Sequence, residues 1–515
     1  MKNELEYKQI LNKIKKYKEY IFLFIVVCAL CLLVLYSSPL YKGLPDIDSS
    51  VFQVMGKGML ENKIMYKELF DHKGPIVYII NSLAFLVNNN YGLFIIETII
   101  FYIGTIFIYK TSRIVLSKKA SIIVNLLYML ISFRYFYGGN YTEEYAITFM
   151  SIAMYFIIKI LHKKEMNKKL YWIMVGATFA INLLIKPTYI SIWIAFGIVQ
   201  LIASIKDKKI KELIKSIGYM LIGILIISVP IIFYLIINND IKDFIDAYIV
   251  MNMKYSDSSI KMRIMKFGKL STTYKYNQYL LMMLISNIAI IFSKRINKRT
   301  KSFITLFSII SLVLAAWAPN SYSHYLIQLA PCVALEVIFL LYLIEQKLKE
   351  KEILQNKIIS QLPVNFIYIC VICVITLNVF ITTTKLKGIF SRKMLIDQIV
   401  IDKVSEINNY LDEDDKILVL GNNSYYYLLF KKQPDFKYFF QYPLIKYDEK
   451  IKDETVQYIK ENKPKVIIDE EYKDIDICGQ QLNIQAYGEK LSEEVTKNYE
   501  EHDIKLLKYY VLKGE

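Results

Sequence analysis

The sequence predicts a polytopic α-helical membrane protein with a small α/β unit at its C-terminal end. Long apolar runs recur through most of the chain, basic residues gather in the short segments between them, and the last part turns charged with strand-like runs. Of 515 residues, 55% are hydrophobic and 22% charged, and the mean hydropathy is +0.32. Apolar runs fall at 21–35, 122–131, 190–205, 220–237, 302–316, 327–343 and 364–381. A helix needs roughly 20 mostly apolar residues to cross the hydrocarbon core, so this series marks many crossings. The net charge of +17 lies in loops, as the positive-inside rule describes, and no basic face is interleaved with a soluble fold. That placement argues against a nucleic-acid partner.

The elements follow in order. The N-terminus is basic, then apolar; its apolar run is long and no A-x-A-like site follows, which reads as an uncleaved first helix. Basic clusters at 1–19, 110–119, 162–169, 206–215, 293–301 and 345–357 mark cytoplasmic loops. An even number of crossings must separate neighbouring clusters. Three apolar candidates, 20–38, 75–87 and 91–109, lie between the first two. The segment 75–87 is too short to span, so it is expected against the outer leaflet. The other spans pair off as 120–133 with 143–161, 170–185 with 187–204, 216–237 with 278–292 and 303–318 with 324–344, and 363–384 leads out. About eleven crossings result, with the N-terminus cytoplasmic and the C-terminal unit extracytoplasmic. Residues 1–384 form the transmembrane domain, with a first outer loop at 39–90, and 385–515 form the α/β domain.

In that last domain, "KILVLG" (416–421), "KVIID" (465–469) and "YYVLK" (509–513) read as strands between helix-like stretches. Cys28, Cys31, Cys332, Cys370 and Cys373 lie in apolar runs and read as core residues, while Cys478 stands alone in the polar tail.

The chemistry gathers in the outer segments. "LPDIDSSVF" (44–52) holds Asp46 and Asp48, and Val51, Val54, Met55, Gly58 and Met59 follow at helical spacing. A short amphipathic helix on the membrane is expected. Asp48 reads either as an N-cap or as a functional carboxylate; Ser50 and Gln53 form an S-x-x-Q capping box that would free it from capping. "YKELFDHKGP" (66–75) adds Asp71, His72 and Lys73, the lysine being either a snorkelling side chain or a partner for a lipid phosphate. Glu143 and Glu144 open the next span after "RYFYGGNYT", where acids suit the helix dipole but are costly beside lipid unless they face water or a site. "KPT" (186–188) reads as a turn, with Lys186 on a substrate path as the alternative. "NSYSHYLIQLAP" (320–331) places His324 and Tyr325 at another outer boundary, Tyr325 as an interfacial anchor or a substrate contact.

Three pieces together resemble the first outer loop of GT-C glycosyltransferases, in particular the bacterial group of aminoarabinose transferases and protein O-mannosyltransferase-like enzymes. They are Asp48 with Phe52, Met59-Leu60-Glu61, and Phe70-Asp71-His72-Lys73-Gly74-Pro75. "NYTEEYA" (140–146) resembles that family's T-(D/E) element opening a span, and Gly74 departs from it, standing where relatives often have a second proline.

The resemblance implies a GT-C-like membrane domain. It also implies transfer, with inversion, of a sugar from a polyprenyl-phosphate-linked donor to an acceptor of the cell envelope on the outer face of the plasma membrane. On that reading Asp48 is the base, Lys73 binds the donor phosphate with Arg134 and His72 as helpers, and Glu143 or Glu144 is the second acid. Asp46, Asp71, Lys186, His324 and Tyr325 are candidate substrate contacts. The acids and imidazoles offer ligands to a divalent cation, but no helical His pair or Cys spacing marks zinc, and no cofactor is required. The competing reading is a transporter or flippase of lipid-linked glycans, which leaves the outer α/β domain unexplained.

Overall fold

The computed structural model describes residues 2–136, 138–163, 165, 168–255, 259–272, 274–317, 322–354, 397–442, 444–469, 488–504 and 507–514. Helix α1 (Lys2–Val34) is followed by two short helices of the first outer loop, α2 (Ile47–Leu60) and α3 (Pro75–Val87). Then come α4 (Gly92–Ser112), α5 (Lys118–Phe133), α6 (Thr142–Leu161), α7 (Lys169–Leu183), α8 (Ser191–Lys206) and α9 (Ile210–Ile237). The segment between the expected spans 216–237 and 278–292 is largely helical where described: α10 (Ile241–Phe244), a π turn at Ile245–Met251, α11 (Asn252–Tyr255) and α12 (Ile260–Thr272). Helices α13 (Tyr274–Phe292) and α14 (Lys298–Trp317), a 3-10 turn at Ser323–Leu329 and α15 (Ala330–Leu354) complete the helical part.

Among the described residues, six helical segments are long and apolar enough to cross a membrane: Tyr17–Val34, Gly92–Ser112, Thr142–Leu161, Ile210–Ile237, Lys298–Trp317 and His324–Glu350. Other expected spans fall on shorter helices: α5, α7 and α8 have 16, 15 and 16 residues. The span expected at 363–384 lies outside the described residues, as do Cys370, Cys373 and Cys478. Leu221, Leu225, Phe233 and Ile236 of α9 are more than half exposed, as befits side chains that face lipid.

Local chemistry sets several boundaries. Pro75 opens α3 at the position where its missing N–H costs nothing, and Ser117 caps α5 by accepting from the Ala120 N–H. Helix α2 corrects the capping expectation. It starts at Ile47, so Asp46 takes the N-cap position, without a side-chain capping bond, and Asp48 lies inside the first turn. Ser50 Oγ donates to Ile47 O (2.7 Å) and Gln53 Nε2 to Ser49 Oγ (3.1 Å), so no capping box forms.

From residue 397 onward the chain builds a mixed sheet of β1 (Ile417–Leu420), β2 (Val466–Asp469), β3 (Tyr499–Ile504) and β4 (Leu507–Leu512), ordered β1-β2-β4-β3. β1 and β2 are parallel, fully buried apolar runs, as a sheet covered on both faces requires, and the other pairings are antiparallel. Helices α16 (397–408), α17 (Tyr425–Leu429), α18 (Lys450–Asn462) and α19 (Glu489–Asn498) accompany the sheet.

Two apolar cores position everything else. One joins the helical part, through Leu23, Phe101, Tyr128, Ile157, Phe196, Phe303 and Phe339. The other merges α2 and α3 with the sheet unit, through Phe52, Met55, Tyr78, Val404, Leu418, Tyr426 and Ile467. The first outer loop is therefore built into the sheet unit. Phe70 N–H donates to Lys437 O (2.9 Å), and Asp397 Oδ2 accepts from Leu44 N–H (2.7 Å) and Tyr41 Oη (2.9 Å).

Candidate active site

Residues 71–75 dock on the turn between α7 and α8. Gly74 N–H donates to Ile185 O (3.1 Å) and Ile76 N–H to Leu184 O (3.3 Å). A Cβ at position 74 would sit 1.9 Å from Leu184 O, so this approach requires glycine, which accounts for the departure from the family pattern. The Tyr66 hydroxyl donates to Lys73 O (3.0 Å), and Tyr78 Oη accepts from the Lys73 N–H (3.2 Å). Lys73 is thereby fixed near Lys186, closely enough that the two ammonium charges act on each other.

Asp71 and His72 support Lys73. The Lys73 ammonium lies 2.8 Å from His72 Nε2, and His72 Nδ1 lies 3.2 Å from Asp71 Oδ1. An ammonium can only donate, so Nε2 accepts and the imidazole proton belongs on Nδ1, facing Asp71. Asp71 Oδ1 also accepts from the His72 N–H (2.7 Å) and Oδ2 from Tyr78 Oη (2.8 Å). Burial alone would raise the Asp71 carboxyl, but the Lys73 charge and the His72 and Tyr78 hydrogen bonds outweigh it and hold the carboxyl at about 2. Burial and the Lys73 charge push the His72 imidazole below its usual value against the pull of Asp71 and Asp48.

Asp48 is half-buried and makes no hydrogen bond or ion pair among the described residues. Its charge acts on His72, Lys186 and His324. Lys73 likewise forms no ion pair among the described residues. The Asp48 carboxylate thus has no bonded partner among the described residues, while the Lys73 ammonium is held by His72 and acts on the Asp71 carboxylate. Asp46 behaves otherwise: it accepts a short hydrogen bond from Tyr141, whose ring stacks on His324 at 4.8 Å.

Glu143 and Lys186 form a buried ion pair (3.6 Å). Tyr189 donates a short hydrogen bond to Glu143 Oε1, and Thr142 Oγ1 donates to Oε2 (2.9 Å). The Lys186 ammonium lies 4.4 Å from the Tyr325 ring centre and 5.4 Å from that of Tyr189. Tyr325 is therefore no interfacial anchor: it is buried and holds a cation against its ring face. Burial pushes the Lys186 ammonium below its usual value, with Glu143 and Asp48 opposing. The turn reading of "KPT" and its alternative are compatible, since Pro187–Tyr189 is a 3-10 turn and Lys186 points into the cluster.

Glu144 faces elsewhere. It lies across Gly139 from Glu97, and neither of its carboxyl oxygens makes a hydrogen bond among the described residues. Arg134 closes α5 as its C-cap residue. Sequence reasoning passed over Tyr78, Tyr141, Tyr189 and Glu97. A lone acid within the apolar "GLFIIETII" was a usable signal for Glu97, because acids within a span are rare without a role. The tyrosines carried none, in a chain with 42 of them. Among the described residues, no three His, Cys, Asp or Glu side chains converge to hold a metal ion.

The profile of the family described as "Putative competence-induced protein Ccs4 N-terminal domain" matches residues 7–387. No curated protein matches the sequence significantly. Among solved structures, ArnT from Cupriavidus metallidurans is similar in its undecaprenyl phosphate-bound form at 10% identity and a TM-score of 0.57, covering 87% of this chain and 92% of that one. Its apo form gives 10% identity and 0.59, covering 88% and 93%. The oligosaccharyltransferase AglB from Archaeoglobus fulgidus, in complex with an inhibitory peptide and a dolichol-phosphate, is 10% identical at 0.51, covering 97% of this chain and 75% of that one. These likenesses place the chain in the GT-C fold of integral membrane proteins.

Proposed function

This chain belongs to the family described as "Putative competence-induced protein Ccs4 N-terminal domain", and we propose that it is an integral-membrane glycosyltransferase that moves a sugar from a polyprenyl-phosphate-linked donor to a cell-envelope acceptor on the outer face of the membrane. One observation carries the reading. Asp48, without any hydrogen-bonding partner among the described residues, shares a compartment with Lys73, Lys186 and two imidazoles. The binding of undecaprenyl phosphate by ArnT and of dolichol-phosphate by AglB supports a lipid-phosphate donor. The transporter reading has no such support.

In this mechanism the acceptor hydroxyl attacks the anomeric carbon, and the Asp48 carboxylate takes its proton as the bond forms. The bond from that carbon to the phosphate oxygen breaks, and its electron pair leaves on the polyprenyl phosphate. Lys73 meets the growing phosphate charge directly, and His72 holds its ammonium in place. Lys186 contributes a second cation, oriented by Glu143, Tyr189 and Tyr325. Attack in line with the departing phosphate inverts the anomeric configuration. A phosphate leaving group needs no proton, so a single base suffices. Purified protein in liposomes should consume polyprenyl-phosphate-linked sugars from a membrane extract. If donor consumption is the same with and without the protein, the reading is wrong.

A further inference from the structure

Ser49 and Gln53, one turn apart on α2, line a polar pocket of about 430 Å³ between the first outer loop, the α3–α4 turn and α17. None of Asp71, His72, Lys73, Glu143, Lys186 and His324 lines it. We infer that this pocket seats the acceptor, and that the part it seats is a neutral, hydroxyl-rich sugar ring. The inference rests on the transferase reading above and names its second substrate by class.

The volume falls in the range of small-molecule sites, roughly 300–1,000 Å³. The lining suits hydroxyl groups. Gln53, Asn88 and Asn90 offer amides that both donate and accept, as sugar hydroxyls do. Part of the wall is pre-formed: Asn81 and Asn140 are buried and exchange amide hydrogen bonds of 3.1 and 2.9 Å, and Asn140 Nδ2 donates to Ser49 Oγ (3.0 Å). Tyr36 and Tyr41 stack at 4.3 Å, and Tyr91, 46% exposed, stands at the rim, so ring faces are present for the apolar side of a pyranose.

The second observation is Glu97. It is 1% exposed and lines the pocket. Its Oε2 accepts from Ser37 Oγ, while Oε1 has no hydrogen-bond partner among the described residues. Oε1 is closed off from the pocket and faces Gly139 and Glu144, so Glu97 shapes the polar wall with Ser37 rather than offering a free acceptor to a ligand. Gly139, at φ +90°, makes room for it: a Cβ there would lie 2.6 Å from Glu97 Oε1. The only cation among the lining residues is Lys42, which is exposed, so the interior has nothing to hold a phosphate. Position agrees with chemistry. Ser49 adjoins Asp48, which does not itself line the pocket, so the ring seated here is a recognition unit of the acceptor held one residue away from the base, on a flank that Lys73 and Lys186 do not line. The bond made is from acceptor oxygen to anomeric carbon, the proton goes to Asp48, and the electron pair leaves on the donor phosphate.

The test uses the full chain in nanodiscs and reads saturation-transfer NMR with methyl glucoside, methyl galactoside and methyl N-acetylglucosaminide, alongside a separate titration with undecaprenyl phosphate. The wild type should give saccharide signals that undecaprenyl phosphate does not displace. Gln53→Trp fills the pocket and should abolish them. Tyr91→Ala, on the exposed rim, should weaken them without disturbing the fold, which keeps the test valid if Gln53→Trp fails to fold. Saccharide signals that survive in folded Gln53→Trp and Tyr91→Ala, that undecaprenyl phosphate displaces, or that are missing from the wild type overturn the inference. If undecaprenyl phosphate does not bind, the transferase reading fails in its own arm and the acceptor assignment goes with it.

Discussion

Glu143 and Glu144 are consecutive, equally buried and in the same first turn of α6, yet they face different compartments. Glu143 meets Lys186, Tyr189 and Thr142. Glu144 meets Glu97, with both of its oxygens open among the described residues. The same division occurs on α2, where Asp48 acts on the basic groups and Ser49 lines the polar pocket. Successive residues on a helix point about 100° apart, so one residue of offset moves a side chain from one compartment to the next. Two helix starts thus form a partition, with cations and one free carboxylate on one side and amides with uncompensated acids on the other. The comparison teaches that burial alone does not assign a role to an acid; its partners do.

The largest effect should come from the carboxylate at the partition's edge. Asp48→Asn should lower transfer by about 10³-fold, within the usual 10²–10⁴ for a general base, and leave undecaprenyl phosphate binding unchanged. Retention of more than about a tenth of the activity removes Asp48 as the base and the partition as a catalytic feature. Next is the cation. Lys73→Met should weaken undecaprenyl phosphate binding about 10- to 100-fold, the worth of one charge-assisted hydrogen bond, and leave saccharide signals from the polar pocket intact. Equal losses in both assays would mean that the compartments are one.

The third effect is on stability. Asp71 sits at about 2 in the folded protein, below its usual 3.8. The stabilisation, about 2 kcal/mol, is fully present above pH 3.8 and lost as pH falls toward 2. His72 adds a loss that starts earlier. Its folded value is depressed below the usual 6.5, so the unfolded chain takes a proton as pH falls through 6.5 while the folded chain resists. Thermal unfolding midpoints should therefore fall with pH on the acid side, and Asp71→Asn should flatten the lower part of that curve. A mutant curve parallel to the wild type would show that Asp71 does not hold the Lys73 support together.

The sequence made the basic side of this partition readable and the polar side almost unreadable. Asp48, Asp71, His72 and Lys73 lie within 26 consecutive residues in a recognisable order, and charged groups beside apolar runs stand out in any sequence. Lys186, His324 and Tyr325 were found because each sits at an outer boundary. The T-(D/E) phase favours Glu143 over Glu144 as the second acid, but a pattern gives order and not direction, so the compartment that Glu144 faces was not legible. The start of α2 was misread because Ser50 and Gln53 have the spacing of a capping box, but backbone geometry placed the cap at Asp46, four residues before Ser50. β3 was missed because "YEEHDI" has no apolar alternation; it forms by pairing with β4, a tertiary effect. The polar pocket is assembled from Tyr36 to Leu429, and no local pattern announces a site spread so widely.

The smallest effect decides most about the partition itself. Glu143→Gln keeps a group that can bond Tyr189 and Thr142 but leaves Lys186 without its counter-charge, so the ammonium loses its anchor near the donor phosphate. Misplacement of that kind should lower transfer by about tenfold, with the loss in donor affinity rather than in saccharide binding. Glu144→Gln should leave transfer at saturating acceptor unchanged. It should leave the thermal midpoint close to the wild type, because the new amide N–H can replace a carboxyl O–H as the donor toward Glu97 Oε1. If the two variants behave alike, the first turn of α6 carries no partition and both acids serve one compartment. If Glu144→Gln alone abolishes transfer, the second acid has been assigned to the wrong side, and the pocket lined by Glu97 becomes the place to look for the reacting sugar.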